Sequence, residues 1–210
     1  DRCFVVDEKG HPVSPSAIAA LVAERELARE PGSTVIHNLI TSKAVPEIIR
    51  ENGGEPVRTR VGHSFIKAKM AETNAVFGGE HSAHYYFRDF WRADSGMLAA
   101  MHVLAALGQQ DKPLSEMMAK YNRYAASGEI NSRLDSAEAQ ADRTESVVKA
   151  FADRAENVDR LDGVTVELKD GNWFNVRASN TEPLLRLNVE ADTQEAVDAL
   201  VKEILAIIRA

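Results

Sequence analysis

The chain has 210 residues, 44% hydrophobic and 27% charged, a composition that suits one large or two ordinary globular domains with a real core. Its formal net charge of −7 disfavours nucleic acid or an anionic membrane as a main partner, and no apolar run approaches the roughly 20 residues that span a bilayer. A lone cysteine excludes an intrachain disulfide and fits a reducing, cytoplasmic setting, while an opening Asp1-Arg2-Cys3-Phe4, without Met or leader, reads as a fragment or a processed chain.

Residues 3–6 read as a short buried strand and 7–10 as its turn. Ser14-Pro15 supplies an N-cap and a proline at the first helical position, and apolar spacing carries the helix through Ile18, Leu21, Val22 and Leu27 to Pro31-Gly32. A strand over 34–37, a helix over 43–51 ended by Asn52-Gly53-Gly54, and a strand over 56–60 follow. Gly62-His63-Ser64 reads as the cap, through Ser64, of a helix containing Phe65, Ile66 and Met70; then come a strand over 75–77 and a long helix from about Asp94 to Leu107. Strands alternating with helices at this spacing predict an α/β layer with much parallel pairing.

Beyond Pro113 the pattern changes: a short helix over 114–121, a strand over 128–134, a long polar helix over 137–156, and strands over 164–168 and 173–177 joined by Lys169-Asp170-Gly171-Asn172. The Asp-Gly pair marks a hairpin. A strand over 184–190 and a helix capped by Thr193 complete a smaller antiparallel α+β domain. The predicted division is 1–12 as a remnant, 13–118 as the first domain and 119–210 as the second.

Three loops carry residues with chemistry. Arg177-Ala178-Ser179-Asn180-Thr181-Glu182-Pro183 lies between two hydrophobic strands and gathers a guanidinium, hydroxyls, an amide and turn N–H groups. Such a set either cradles an anion or merely satisfies its own hairpin backbone. Arg186, on the next strand, reads as a solvated sheet-face residue. The second loop, Gly78-Gly79-Glu80-His81-Ser82-Ala83-His84, suits a polyol: Glu80 accepts hydrogen bonds, Ser82 donates and accepts, and His84 exchanges protons near neutrality. A metal held by Glu80, His81 and His84 and a polar loop without a role are the alternatives. Asp1-Arg2, His63 and Lys67 are ambiguous when taken singly.

Together these segments resemble the α-D-phosphohexomutases over nearly the whole chain. Asp1-Arg2 is similar to the end of that family's D-G-D-G-D-R metal loop, and Gly62-His63-Ser64-Phe65-Ile66-Lys67 to its G-H-S/A-x-I-K stretch. Gly79-Glu80-His81-Ser82-Ala83-His84 resembles the sugar loop G-E-x-S-G-H, and Arg177 to Pro183 the phosphate loop R-x-S-N-T-x-P. The resemblance implies the third and fourth of four domains: an α/β domain with a mixed sheet flanked by helices, then an antiparallel sheet backed by helices, with residues 1–12 as the tail of the second. Asn180 points to the phosphomannomutase/phosphoglucomutase branch, since phosphoglucosamine mutases show S-G-T there.

The implied reaction interconverts hexose 1-phosphate and 6-phosphate of mannose or glucose through a hexose 1,6-bisphosphate, using a phosphoserine and Mg²⁺. In that reading Asp1 is a metal ligand, and Arg2, His63 and His84 are catalytic. Glu80, Ser82, His84 and Lys67 bind the sugar, and Arg177, Ser179, Asn180 and Thr181 hold the phosphate that is not reacting. The serine loop and two of three metal-loop aspartates do not occur in this sequence, so the chain by itself is expected to be inactive and to need the family's N-terminal domains as partners. His81 and Ala83 depart from the family pattern, the latter where Gly is common, and Ile40 stands where many relatives have Lys, leaving Lys43 as the nearest substitute. A non-catalytic phosphosugar-binding module, a phosphoglucosamine mutase and a zinc protein are the rival readings.

Overall fold

The computed structural model describes residues 1–179 and 182–210, and the chain divides into two compact units, Asp1–Arg123 and Tyr124–Ala210. In the first unit α1 (Pro15–Arg29), β1 (Thr34–Asn38), α2 (Ala44–Glu51), β2 (Glu55–Thr59), α3 (His63–Thr73) and β3 (Phe77–Gly79) alternate, followed by β4 (Tyr85–Phe87), β5 (Ala93–Asp94), α4 (Gly96–Leu107) and α5 (Leu114–Met118). The sheet order is β2-β1-β3-β4-β5. β1 is parallel to both β2 and β3, whereas β3-β4 and β4-β5 are antiparallel. The sheet is therefore mixed, with β1 at the centre of its parallel half.

Two adjacent glycines show how helices cover both faces. A Cβ on Gly78 would meet Ile66 and Met70 of α3, while one on Gly79 would lie 2.7 Å from the Cβ of Ala19 in α1. Successive strand residues point to opposite faces, so α3 and α1 cover opposite sides of β3. The small residues Ala17, Ala19, Ala20 and Ala23 of α1 are all buried and let that helix close on the sheet, against α2 and α4 as well. Side chains from four elements, Ile36, Ile66, Met70 and Tyr86 among them, form the core on the α3 side.

In the second unit β6 (Ala125–Ala126), β7 (Ile130–Arg133), α6 (Ala137–Phe151), β8 (Ala155–Asp159), β9 (Val164–Leu168), β10 (Trp173–Ala178), β11 (Leu184–Ala191) and α7 (Gln194–Ile208) build an antiparallel sheet of order β6-β11-β10-β9-β8, with β7 also paired to β11. Phe174, Val176, Leu185, Leu187 and Val189 pack with Val147 and Phe151 of α6 and Val197, Leu200 and Ile204 of α7. Both helices thus lie on one face of this sheet. The Thr193 hydroxyl accepts from the Ala196 N–H and caps α7 as the sequence predicts.

Several predicted elements differ. Residues 3–6 form no strand: only Val6 bridges Pro12, and Phe4 is exposed. The cap of α3 is Gly62 rather than Ser64. Asp94 belongs to β5, and Ser95 caps α4 by accepting from the Leu98 N–H. The helix predicted over 137–156 ends at Phe151, because residues 155–159 pair with β9 as an edge strand. Polar edge strands lack the alternation that marks a strand in sequence. No helix among the described residues is long and apolar enough to cross a membrane.

Candidate functional site

The Gly79–His84 segment is the turn from β3 into β4, closed by the Glu80 N–H to the His84 carbonyl at 3.0 Å and the Ala83 N–H to the Glu80 carbonyl at 3.1 Å. Ala83 occupies a left-handed conformation, φ 68°, where glycine is usual. Its carbonyl accepts from the Cys3 N–H, and Gly96 lies so close to the Arg2 carbonyl that no Cβ fits there. Those two contacts fix residues 1–3 beside the turn.

Glu80 is almost wholly buried, at 2% exposure. Its Oε1 accepts from Asn38 Nδ2 at 3.4 Å and the Gly62 N–H at 3.3 Å, and its Oε2 accepts from the Tyr86 hydroxyl at 2.7 Å. A carboxylate offers about four acceptor positions, so three are filled and one has no donor among the described residues. The Tyr86 oxygen also lies 2.6 Å from His63 Nδ1. Burial, and then the hydrogen bond to Glu80, push the Tyr86 phenol far above its ordinary range, so it stays protonated. Lys67, one helical turn beyond His63, holds its ammonium 6.0 Å over the Tyr86 ring.

His84 connects this group to the chain start. Arg2 Nε donates to His84 Nε2 at 3.1 Å, and His84 Nδ1 lies 2.8 Å from Asp94 Oδ2. Arginine is always a donor, so Nε2 accepts and Nδ1–H donates to Asp94. Burial opposes ionisation of Asp94, but the hydrogen bonds it receives from His84 and from the backbone outweigh it and hold the carboxyl below its usual value. The His63 and His84 rings stand edge to face, 4.4 Å apart. The fold thus gathers Arg2, His63, Lys67, Glu80 and His84, with Ser82 half-buried in the same turn. Tyr86, Asp94 and Asn38 are site partners that sequence reasoning missed. Each lies on a different strand, and only the sheet order brings them to the loop.

The trio Glu80, His81 and His84 does not assemble as a metal site. His81 Nδ1 instead lies 2.9 Å from the Ser16 hydroxyl, whose oxygen also accepts from the Ser42 N–H. Among the described residues, the ligand-type side chains that converge are His63, His84 and Asp94. Two imidazoles and one carboxylate are not the oxygen-rich set that Mg²⁺ prefers, and Asp1 is exposed outside that group. The described residues do not build a Mg²⁺ site. Ile40 is buried, and Lys43 stands at the N-cap position of α2.

In the second unit the face of β10–β11 opposite α6 and α7 carries three register pairs: Trp173 with Glu190, Asn175 with Asn188, and Arg177 with Arg186. Trp173 Nε1 donates to Glu190 at 2.8 Å, and Asn175 Nδ2 ties the 162–164 segment to β10. Arg177 is 5% exposed, and its terminal nitrogen lies 3.7 Å from Glu129, which also pairs with Arg186 at 3.4 Å. The Nε atoms of both arginines are buried without a hydrogen-bond partner among the described residues. Arg186 further donates to Ser179 Oγ at 3.3 Å, which accepts from the Glu182 N–H as well. Arg186 thus lies on the open sheet face, half-buried rather than fully solvated, and is tied to the loop through Ser179 and Glu182. A directly opposed pair with two like charges is unfavourable without a counter-charge, and an alternation count shared with Arg177 was the signal available for it. Asn180 and Thr181 lie outside the described residues.

Residues 14–124 match the family model described as phosphoglucomutase/phosphomannomutase, alpha/beta/alpha domain III, and residues 129–207 match the C-terminal domain of the same family. A phosphomannomutase of Methanocaldococcus jannaschii is 39% identical over 99% of this chain and 45% of its own length. One from Escherichia coli K12 is 42% identical over 91% of this chain and 41% of its own. A crystal structure of a phosphoglucomutase/phosphomannomutase family protein from Burkholderia thailandensis superposes with a TM-score of 0.82 at 28% identity, over 99% of this chain and 44% of that one. The chain spans under half the length of the curated relatives it matches. Matched in both units by the family's own domain models, and in the order those domains carry, the chain belongs to the phosphoglucomutase/phosphomannomutase family.

Proposed function

We propose that this chain supplies the substrate-gripping half of a phosphohexomutase that interconverts the 1- and 6-phosphates of mannose or glucose through a bisphosphate. The first unit presents the sugar loop: Glu80 and Ser82 take hydroxyls, Lys67 adds a positive charge, and His63 and His84 handle protons. Arg2, held on His84, faces the phosphoryl group in transfer. The second unit anchors the distant phosphate through Arg177, Ser179, Asn180 and Thr181, and Arg186 joins them. The phosphoryl donor in this reading is a phosphoserine on a part of the family's polypeptide that the chain does not match.

The observation that carries the reading is the cationic pair in the phosphate loop. Arg177 and Arg186 share the Glu129 carboxylate, Arg186 reaches Glu182 as well, and both keep an Nε without a partner among the described residues, which an incoming phosphate dianion satisfies with charge-assisted bonds. Two facing guanidiniums, that of Arg177 buried and that of Arg186 half-buried, are a costly feature to keep for hairpin stability alone. Titration of the chain with glucose 1-phosphate, mannose 1-phosphate and inorganic phosphate tests it. Arg177→Ala is expected to weaken binding by about 1.5–3 kcal/mol, roughly 10- to 150-fold in Kd. Unchanged affinity in that variant refutes the anchor. Turnover assays separate enzyme from binding module: the 210-residue chain is expected to bind without mutase turnover, and the polypeptide of full family length to turn over.

A further inference from the structure

Tyr86 stands between two groups that the proposed reaction uses, and its single proton decides what each of them can do. Glu80 is an acceptor, already receiving the Asn38 amide and the Gly62 N–H, so the hydroxyl proton of Tyr86 goes to Oε2 at 2.7 Å. The phenol oxygen then has only lone pairs left for His63 Nδ1, 2.6 Å away. That contact is a hydrogen bond only if Nδ1 carries the proton. We propose that Tyr86 is a positioning residue that holds His63 as its Nδ1–H tautomer and leaves Nε2 bare to take a proton from a sugar hydroxyl.

The geometry supplies a second case of the same orientation. On His84, Arg2 Nε occupies Nε2 and Asp94 receives Nδ1–H. Both imidazoles therefore carry their proton on Nδ1. They differ at Nε2: that of His84 is engaged by Arg2, while His63 lies on an exposed helix N-terminus and its Nε2 is the one left for substrate. In the proton step the hydroxyl O–H bond breaks, the Nε2–H bond forms, and the imidazole takes the positive charge. The hydroxyl oxygen bonds to the phosphorus of the phosphoserine as the phosphorus–oxygen bond to the serine breaks, and the serine oxygen leaves with the electron pair and takes up a proton. Glu80, one hydrogen bond behind Tyr86, is placed to favour that charge. This assignment deepens the function proposed above and rests on it for the identity of the proton donor, but the tautomer itself does not depend on it.

The test begins with the unmodified chain. Long-range nitrogen–proton NMR of the histidine rings at a pH where His63 is neutral is expected to show Nδ1 protonated and Nε2 bare; an Nε2–H tautomer overturns the proposal without any variant. Tyr86→Phe keeps the ring under the Lys67 ammonium and removes only the hydroxyl. It is expected to shift His63 toward Nε2–H while leaving the His84 tautomer in place; a His63 signal unchanged from wild type refutes the role of Tyr86. In the polypeptide of full family length, the same variant is expected to lower kcat roughly ten-fold, a part of the 10²–10⁴-fold contributed by general acid–base groups, with KM less affected. Wild-type kcat together with a shifted tautomer sinks the catalytic part of the proposal. Failure of the unmodified chain to bind any hexose phosphate instead sinks the function reading, and leaves the tautomer result standing.

Discussion

Gly163→Ala probes how Arg177 and the loop that follows it are held. Gly163 sits at φ 65°, and a Cβ there would run into the Val176 carbonyl and come within 2.8 Å of the Arg177 Cα. Forcing alanine into the left-handed region costs about 1–2 kcal/mol, and overlap with a strand backbone that cannot rotate away adds about 1–3 kcal/mol. Gly128 has nearly the same conformation, φ 66°, with nothing within 4 Å of its Cβ position, so Gly128→Ala carries the conformational cost alone. The loss of unfolded-chain freedom is the same in both and cancels in the comparison. Urea unfolding can be followed by Trp173 fluorescence, because that side chain is 8% exposed in the second unit while Trp91 of the first is 83% exposed and reports little. Gly163→Ala is expected to lose about 1–3 kcal/mol more than Gly128→Ala. Equal losses would refute the close approach of the 160–163 turn to β10 and, with it, the packing that fixes Arg177.

Three other outcomes are open to measurement. Burial holds the His37 imidazole down at about 4, against roughly 6.5 in the unfolded chain. Its neutral form is favoured by folding, so that contribution is complete above pH 6.5 and is lost as pH falls toward 4, by about 3 kcal/mol in all. Urea midpoints of the first unit at pH 7, 5 and 4 are expected to fall less steeply in His37→Asn, whose amide can replace the ring N–H that donates to the Asn38 carbonyl; parallel curves would show that His37 is not the group responsible. Arg186→Ala is expected to weaken hexose phosphate binding as Arg177→Ala does, and binding that is unaffected would return Arg186 to a structural role. Glu30, paired twice with Arg88, has its carboxyl held at about 2 by that hydrogen bonding, so its share of stability is present above the usual carboxylate range and disappears between pH 4.5 and 2; carboxyl chemical shifts in an acid titration check it.

Local chemistry was legible wherever one stretch of chain carries it. Pro15 and Leu27 bracket α1, the Asp170-Gly171 hairpin joins β9 to β10, and Thr193 caps α7, each because the signal lies within a few residues of its effect. The two loops were also readable, since Glu80 to His84 and Arg177 to Ser179 are contiguous. What failed locally failed where competing patterns overlap: the polar residues 155–159 continue the composition of α6, and only pairing with β9 makes them a strand. Asp94, read as the start of a helix, is drawn into β5 by its register with Tyr86.

The identity of the groups that control the site was decided by tertiary structure. Tyr86, Asp94, Asn38 and Arg186 are unremarkable in the chain, and they acquire meaning from the sheet order that sets Asn38 beside Glu80 and from the register that sets Arg186 opposite Arg177. The sequence by itself determined which elements form and which loops bear polar groups, because hydrophobic periodicity and turn chemistry act over a few residues. Protonation, tautomer and charge balance depend on neighbours that are tens of residues away along the chain and about 3 Å away in space, and those distances exist only once the sheet has closed.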